Sequence, residues 1–161
     1  MVLSYLFLTL SCAQPVPVNV SSLTSDYGTR TWVDGSRQFH DGIDIEAPEG
    51  TPIKSISGGK VIFAGVHKKT GGNVVVIREQ TDKVIKTTVL YGHLEKILVT
   101  KGQVVKQGKV IGTVGSTGKS TGPHLHLSVW QDNLETRNYK NVNPEKFFKF
   151  CKYKIRKHPH F

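Results

Sequence analysis

Between Asp26 and Trp130 the chain alternates short apolar runs with glycine-centred polar breaks: "GKVIFAGV" (59–66), "NVVVIRE" (73–79), "KTTVLYGHL" (86–94), "GKVIGTVG" (108–115) and "HLHLSVW" (124–130). β-Branched and aromatic residues dominate these runs and turn residues recur closely, which predicts an all-β sandwich or barrel-like sheet. Two of the runs share the core G-K-V-I. Each follows a related piece, "APEGTPIKSI" before the first and "VTKGQVVKQ" before the second, so two similar glycine-hinged hairpins facing each other are expected. Helical patterning is confined to "NPEKFFKF" (143–150), with Asn143 as N-cap, Pro144 at the first helical position and Glu145 in the first turn, where the helix dipole favours a negative charge.

Outside these runs, "MVLSYLFLTLSCA" (1–13) carries an apolar stretch from Val2 to Leu10, too short to span a bilayer but suited to the core of a secretory signal peptide cleaved after Ala13. A rival route lipidates Cys12 and would attach the chain to a membrane. Either route makes the protein an exported one, of the periplasm, cell envelope or medium, and leaves Cys151 without a disulfide partner. Residues 14–25, "QPVPVNVSSLTS", have no period and read as a lead-in linker. The domain proper is expected over 26–142, followed at 143–161 by the short helix and a basic tail.

At 161 residues the chain is one domain, expected to be monomeric, and its net charge of +10 favours an anionic partner. No zinc-finger spacing, basic zipper or aromatic RNA-binding signature accompanies the charge, so sequence-specific nucleic-acid recognition is not expected.

The strand "GPHLHLSVW" (122–130) changes the picture. Residues two apart on a strand share a face, so His124 and His126 aim at one spot while Leu125, Leu127 and Val129 face the other way. A second cluster lies in "FHDGIDIEAPEGTP" (39–52). Gly42 and Pro48 argue against a helix, and on a single extended strand His40, Gly42, Asp44 and Glu46 share one face opposite Ile43 and Ile45. Gly42 then leaves the space between His40 and Asp44 open. Two histidines and a carboxylate with one position left for water is an arrangement that holds catalytic zinc; His40, Asp44 and one of His124 and His126 would supply it. His93, in "LYGHLEKI" (90–97), follows a glycine at the end of a β run, where it can reach into a cleft. The loop "GSTGKSTGP" (115–123) lacks the order of a phosphate-binding loop and reads as a groove wall. His67, His158 and His160 read as surface groups.

The stretches "HDGIDIEAPEGTPI", "GGKVIFAG", "GGNVVVI", "YGHLEKILVTKGQVVKQGKVIG" and "GSTGKSTGPHLHL", in that order, resemble the LytM or lysostaphin-type M23 zinc metallopeptidases of bacterial cell walls, over residues 27–130. The resemblance implies an antiparallel β-sheet with an active-site groove on one face. It implies one Zn2+ held by His40, Asp44 and His126, with His93 and His124 as the catalytic pair and Tyr91 lining the groove. It further implies an endopeptidase acting on peptidoglycan stem or cross-bridge peptides, with the basic surface attracted to anionic wall polymers. The alternative it leaves open is a non-catalytic regulator of other wall hydrolases. Which bond is cut has no readable code.

Overall fold

The computed structural model describes residues 18, 22–31, 34–68, 72–80, 85–133 and 138–147. The signal segment 1–13 with Cys12, and the tail from 148 onward with Cys151, His158 and His160, lie outside them.

Among the described residues twelve strands follow in chain order: β1 (Ser22–Ser25), β2 (Gly28–Thr31), β3 (Arg37–His40), β4 (Gly42–Glu46), β5 (Pro52–Lys54), β6 (Gly59–His67), β7 (Gly72–Arg78), β8 (Ile85–Ile97), β9 (Val104–Val105), β10 (Val110–Val114), β11 (His124–Asn133) and β12 (Asn138–Val142). Ten form one sheet, ordered β1-β4-β11-β8-β7-β6-β9, with β12 beside β11 and β10 joining β8 to β5. β2 and β3 make a separate two-stranded ribbon. Every pairing among the named strands is antiparallel, as the family resemblance implies.

The period of two sets what faces inward. On β11, Leu125, Leu127 and Val129 are fully buried, and they pack with Ile43 and Ile45 of β4, Val89 and Tyr91 of β8, and Val75 and Ile77 of β7. That burial removes one face of the central strands from water and leaves the other face free to carry polar groups.

The two G-K-V-I hairpins do face each other, and they do so by exchange. β5, in the lead-in to the first echo, pairs with β10 in the second; β9, in the lead-in to the second, pairs with β6 in the first. The hydrogen bonds correspond: Gly50 N donates to Val114 O and Val114 N to Thr51 O at 2.8 and 2.9 Å, while Gly102 N donates to Val61 O and Val61 N to Gln103 O, both at 2.8 Å. Gly50 and Gly102 both turn with positive φ, 84° and 93°, a conformation glycine adopts without steric cost.

Three expectations change. The fold begins within the stretch read as a linker: Ser22–Ser25 pair with β4, and Leu23 and Val18 are buried in the core, because β4 would otherwise expose a bare edge. Residues 39–46 are not one strand. Asp41 separates β3, which ends the ribbon, from β4, which belongs to the large sheet. At the C-terminal end the described residues contain a single 3-10 turn, Pro144–Lys146, in place of a longer helix, although Asn143 caps it as expected by accepting from Glu145 N at 2.9 Å.

Candidate metal centre

β4 and β11 lie side by side with Asp44 opposite His126, and across β11 His126 stands opposite Gly92 of β8. The polar row therefore runs across the sheet face that the apolar residues leave free. His40 reaches the row from the end of the ribbon. Its Nε2 lies 3.2 Å from Asp44 Oδ1 and 3.1 Å from His126 Nδ1, and the last two atoms are 2.8 Å apart.

The protons on these rings follow from their other partners. His40 Nδ1 lies 2.8 Å from the Asp26 carbonyl, which only accepts, so in the neutral ring Nε2 carries the lone pair. Ser128 Oγ donates its one proton to Asp41 O at 2.8 Å and so must accept from His126 Nε2 at 3.0 Å, leaving the lone pair on His126 Nδ1. Asp41 Oδ1, 3.3 Å from His126 Nε2, adds a carboxylate behind the same ring. Three acceptors thus face one another with no proton needed between them. A tetrahedral shell with bonds of about 2.0–2.1 Å separates neighbouring donor atoms by about 3.3 Å, so these spacings fit a small divalent cation. His40, Asp44 and His126 could hold a metal ion.

His93 and His124 are tied in the same manner. His93 Nδ1 lies 2.8 Å from Thr117 O and His124 Nδ1 2.8 Å from Gly122 O, so each neutral ring keeps an unprotonated Nε2. The two rings stand 4.6 Å apart, and His124 Nε2 is 3.7 Å from Asp44 Oδ1.

The position of His93 needs explaining, because strict alternation after Tyr91 and Gly92 would turn it toward the core. Against β7, Val75 pairs with Tyr91 but Asn73 with Leu94, so β8 carries one extra residue there, a bulge. His93 absorbs it with φ +64°, a left-handed conformation that costs a side-chain-bearing residue about 1–2 kcal/mol. The bulge, not a strand end, brings His93 to the metal-ligand face, and the Thr117 carbonyl holds it there.

Electrostatics follow the contacts. Burial alone would raise the Asp44 carboxyl, but in the metal-free site, with protons in place of the cation on the ring nitrogens that face it, hydrogen bonds from His126 and His40 and the charge of those rings hold it well below the ordinary range. Burial pulls His126 down, yet the Asp41 and Asp44 carboxylates outweigh it and push the metal-free ring up to about 9. Burial lowers His93, which the Thr117 hydrogen bond does not reverse.

The geometry brings His40, Asp44, His93, His124 and His126 together and excludes Tyr91. Tyr91 is fully buried on the opposite face, where its hydroxyl accepts from Ile56 N at 2.9 Å, so it belongs to the core rather than to a groove. Gly42 also differs from expectation. The space above it is not open: a Cβ there would lie 2.8 Å from His126 Cε1 and 2.8 Å from Ser128 Oγ, so the missing side chain makes room for the His126 ring. Sequence reading missed Ser128, Asp41 and Arg30, whose Nη2 meets Asp44 Oδ2 at 3.1 Å, and it missed that the carbonyls of the 115–123 loop orient both outer histidines. Even-numbered alternation along β11 could have found Ser128, which lies on the His126 face.

Comparison with known proteins bears on what such a site belongs to. Residues 38–144 match the model of peptidase family M23. The peptidoglycan DD-endopeptidase ShyB of Vibrio cholerae is 46% identical over 117 residues, covering 71% of this chain and 26% of that protein. Lysostaphin of Staphylococcus staphylolyticus is 45% identical over 89 residues, covering 55% of this chain and 18% of that protein. The chain spans about a quarter of the length of the first such relatives. Among solved structures, the lysostaphin catalytic domain from Staphylococcus simulans superposes with a TM-score of 0.64 at 34% identity, covering 78% of this chain and 90% of that one. A zinc-containing peptidase from Vibrio cholerae gives 0.63 at 40% identity, covering 76% and 35%. The match runs from the ribbon strand that ends in His40 through the strand that carries His126, and so this chain belongs to peptidase family M23.

Proposed function

We propose that this chain is the hydrolytic unit of a zinc endopeptidase that cuts peptide bonds in the stem or cross-bridge peptides of bacterial peptidoglycan. One observation carries the reading: four imidazoles each spend one nitrogen on an acceptor of the fold, and those of His40, His124 and His126 turn the other toward Asp44 Oδ1. Zn2+ held by His40, Asp44 and His126 would polarise a scissile carbonyl and make a water acidic enough to attack near neutral pH.

The remaining steps fall to the chain. His124 presents its Nε2 3.7 Å from Asp44 Oδ1, and the His93 ring stands beside it, its centroid 4.6 Å from that of His124 and 5.9 Å from that of His126. Burial keeps His93 neutral near pH 7, which suits its Nε2 to take the proton of the attacking water. Once protonated, His93 Nε2 can hydrogen-bond the oxygen on which charge develops and pass that proton to the leaving amine, while the unprotonated Nε2 of His124 accepts from the other O–H of the attacking water. The Thr117 and Gly122 carbonyls fix both rings, so no reorganisation is needed at the moment of reaction. The substrate class rests on the relatives named for peptidoglycan and on the net charge of +10, which suits anionic wall polymers. That substrate lies outside the cytoplasm, in keeping with the apolar core at 2–10 as an export signal and with Cys12 as a second, lipid-anchored route.

The test is mass spectrometry of soluble products released from several chemically distinct purified peptidoglycans by the zinc-loaded protein, with His124→Ala alongside. New peptide termini that vanish in the variant are expected, and they name the bond. No release from any wall by a protein carrying one zinc per chain would overturn the wall-hydrolase reading.

A further inference from the structure

Asp44 has two carboxylate oxygens, and the structure gives them different work. Oδ1 faces His40 Nε2 at 3.2 Å, His126 Nδ1 at 2.8 Å and His124 Nε2 at 3.7 Å, so it is the oxygen turned toward the ligand cluster. Oδ2 is taken by Arg30 Nη2 at 3.1 Å. Arg30 lies on β2 opposite Gln38, two residues from Gly28, which stands opposite His40; residues two apart share a face, so Arg30 and His40 leave the ribbon on one side. The ribbon therefore brings two groups to one carboxylate from the large sheet, a ligand beside Oδ1 and a guanidinium on Oδ2.

We propose that Arg30 is a positioning residue that holds Asp44 to a single metal-facing oxygen. A carboxylate binds a cation through one oxygen or both. With Oδ2 released, Asp44 is free to pivot and offer both, which fills the position that a hydrolytic site keeps for water and substrate. A guanidinium suits the task because its charge is permanent and its N–H groups are directional, whereas a lysine ammonium supplies the charge without the planar geometry. The inference rests on the metal-site reading above, but not on the identity of the substrate.

The experiment is cobalt and zinc binding by the wild-type protein and by Arg30→Gln and Arg30→Lys, with Co2+ visible absorption as the coordination readout and thermal melting to establish folding. Arg30 is partly exposed on a four-residue strand, so its replacement is compatible with the core. Arg30→Gln is expected to bind zinc about 10- to 100-fold more weakly. Its Co2+ bands are expected to weaken toward those of a higher coordination number, with Arg30→Lys restoring part of both. Affinity and spectrum unchanged in folded Arg30→Gln would overturn the proposal. Tighter binding in that variant would do so too, since repulsion of the cation by Arg30 would then outweigh positioning. A rise in KM for peptide substrate with metal binding untouched would move Arg30 to substrate recognition. Failure of the wild type to bind either metal would overturn the metal-site reading itself, and this inference with it.

Discussion

Gly42 sits where β4 crosses beneath the His126 ring, and adding one methyl group there tests the whole local arrangement. A Cβ on Gly42 would lie 2.5 Å from the Leu127 carbonyl oxygen, against about 3.5 Å for an ordinary contact, so roughly 1 Å must be found between two paired strands. The obstacle is backbone on a fully buried stretch, which cannot rotate aside. Overpacking of this kind costs about 1–3 kcal/mol. For a chain of this size each kcal/mol moves the melting midpoint by about 2–4 °C, so Gly42→Ala is expected to melt roughly 2–12 °C lower. The same methyl would lie 2.8 Å from His126 Cε1, the ring atom bonded to the donor Nδ1, so relief by ring motion displaces a ligand atom directly. Zinc affinity is therefore expected to fall at least about tenfold, and the stabilisation gained on adding zinc to shrink accordingly. Calorimetric melts with and without zinc, together with a competition titration against a chelator, measure both. A variant that melts within a degree of wild type and binds zinc equally would show that β4 and β11 do not approach as described.

Ser128→Ala removes the hydroxyl between His126 Nε2 and the Asp41 carbonyl; a stability loss of about 1–2 kcal/mol by denaturant titration and weaker zinc binding are expected. Gly72→Ala acts from outside the site: its Cβ would lie 2.5 Å from Thr117 C, so the carbonyl that orients His93 shifts and kcat is expected to fall about 10- to 100-fold with the metal content unchanged. Replacing His93 by Asn, which tolerates left-handed backbone, should cost about 1–2 kcal/mol less stability than replacing it by Val, while both abolish hydrolysis. For the metal-free protein, His126 is raised from 6.5 to about 9, so its contribution to stability is fully present below pH 6.5 and is lost as pH rises through about 9; melts in chelator across that window check the sign.

The residues of the site were legible where one strand carries them. Along β11, period-two alternation put His124 and His126 on one face and the leucines on the other, and the structure has them so. His93 was legible as a residue but not as a geometry, because the bulge that turns it is set by its partners on β7 and by the Thr117 carbonyl, neither local in sequence. Tyr91 misled for a different reason: the resemblance set it beside the groove, whereas alternation already puts it, one position from Gly92, on the opposite face. Arg30 lies in "YGTRTW", which has no apolar period, and its partner is supplied only when the ribbon folds over β4. The lead-in strand was hidden because proline and serine masked the two apolar residues, Val18 and Leu23, that the core uses.

The exchange between the two G-K-V-I hairpins has a consequence for how the protein is made. The strand at 59–67 finds its outer neighbour only at 104–105, and the strand at 52–54 finds its own only at 110–114. A nascent chain emerging from the ribosome therefore cannot finish either hairpin until more than a hundred residues are out, and His40 and Asp44 must wait longer still for His126. Such non-local pairing slows folding and leaves open strand edges in the interval. It also means that a chain cut short before His126 lacks one of the three residues of the candidate metal centre, however well its earlier strands form.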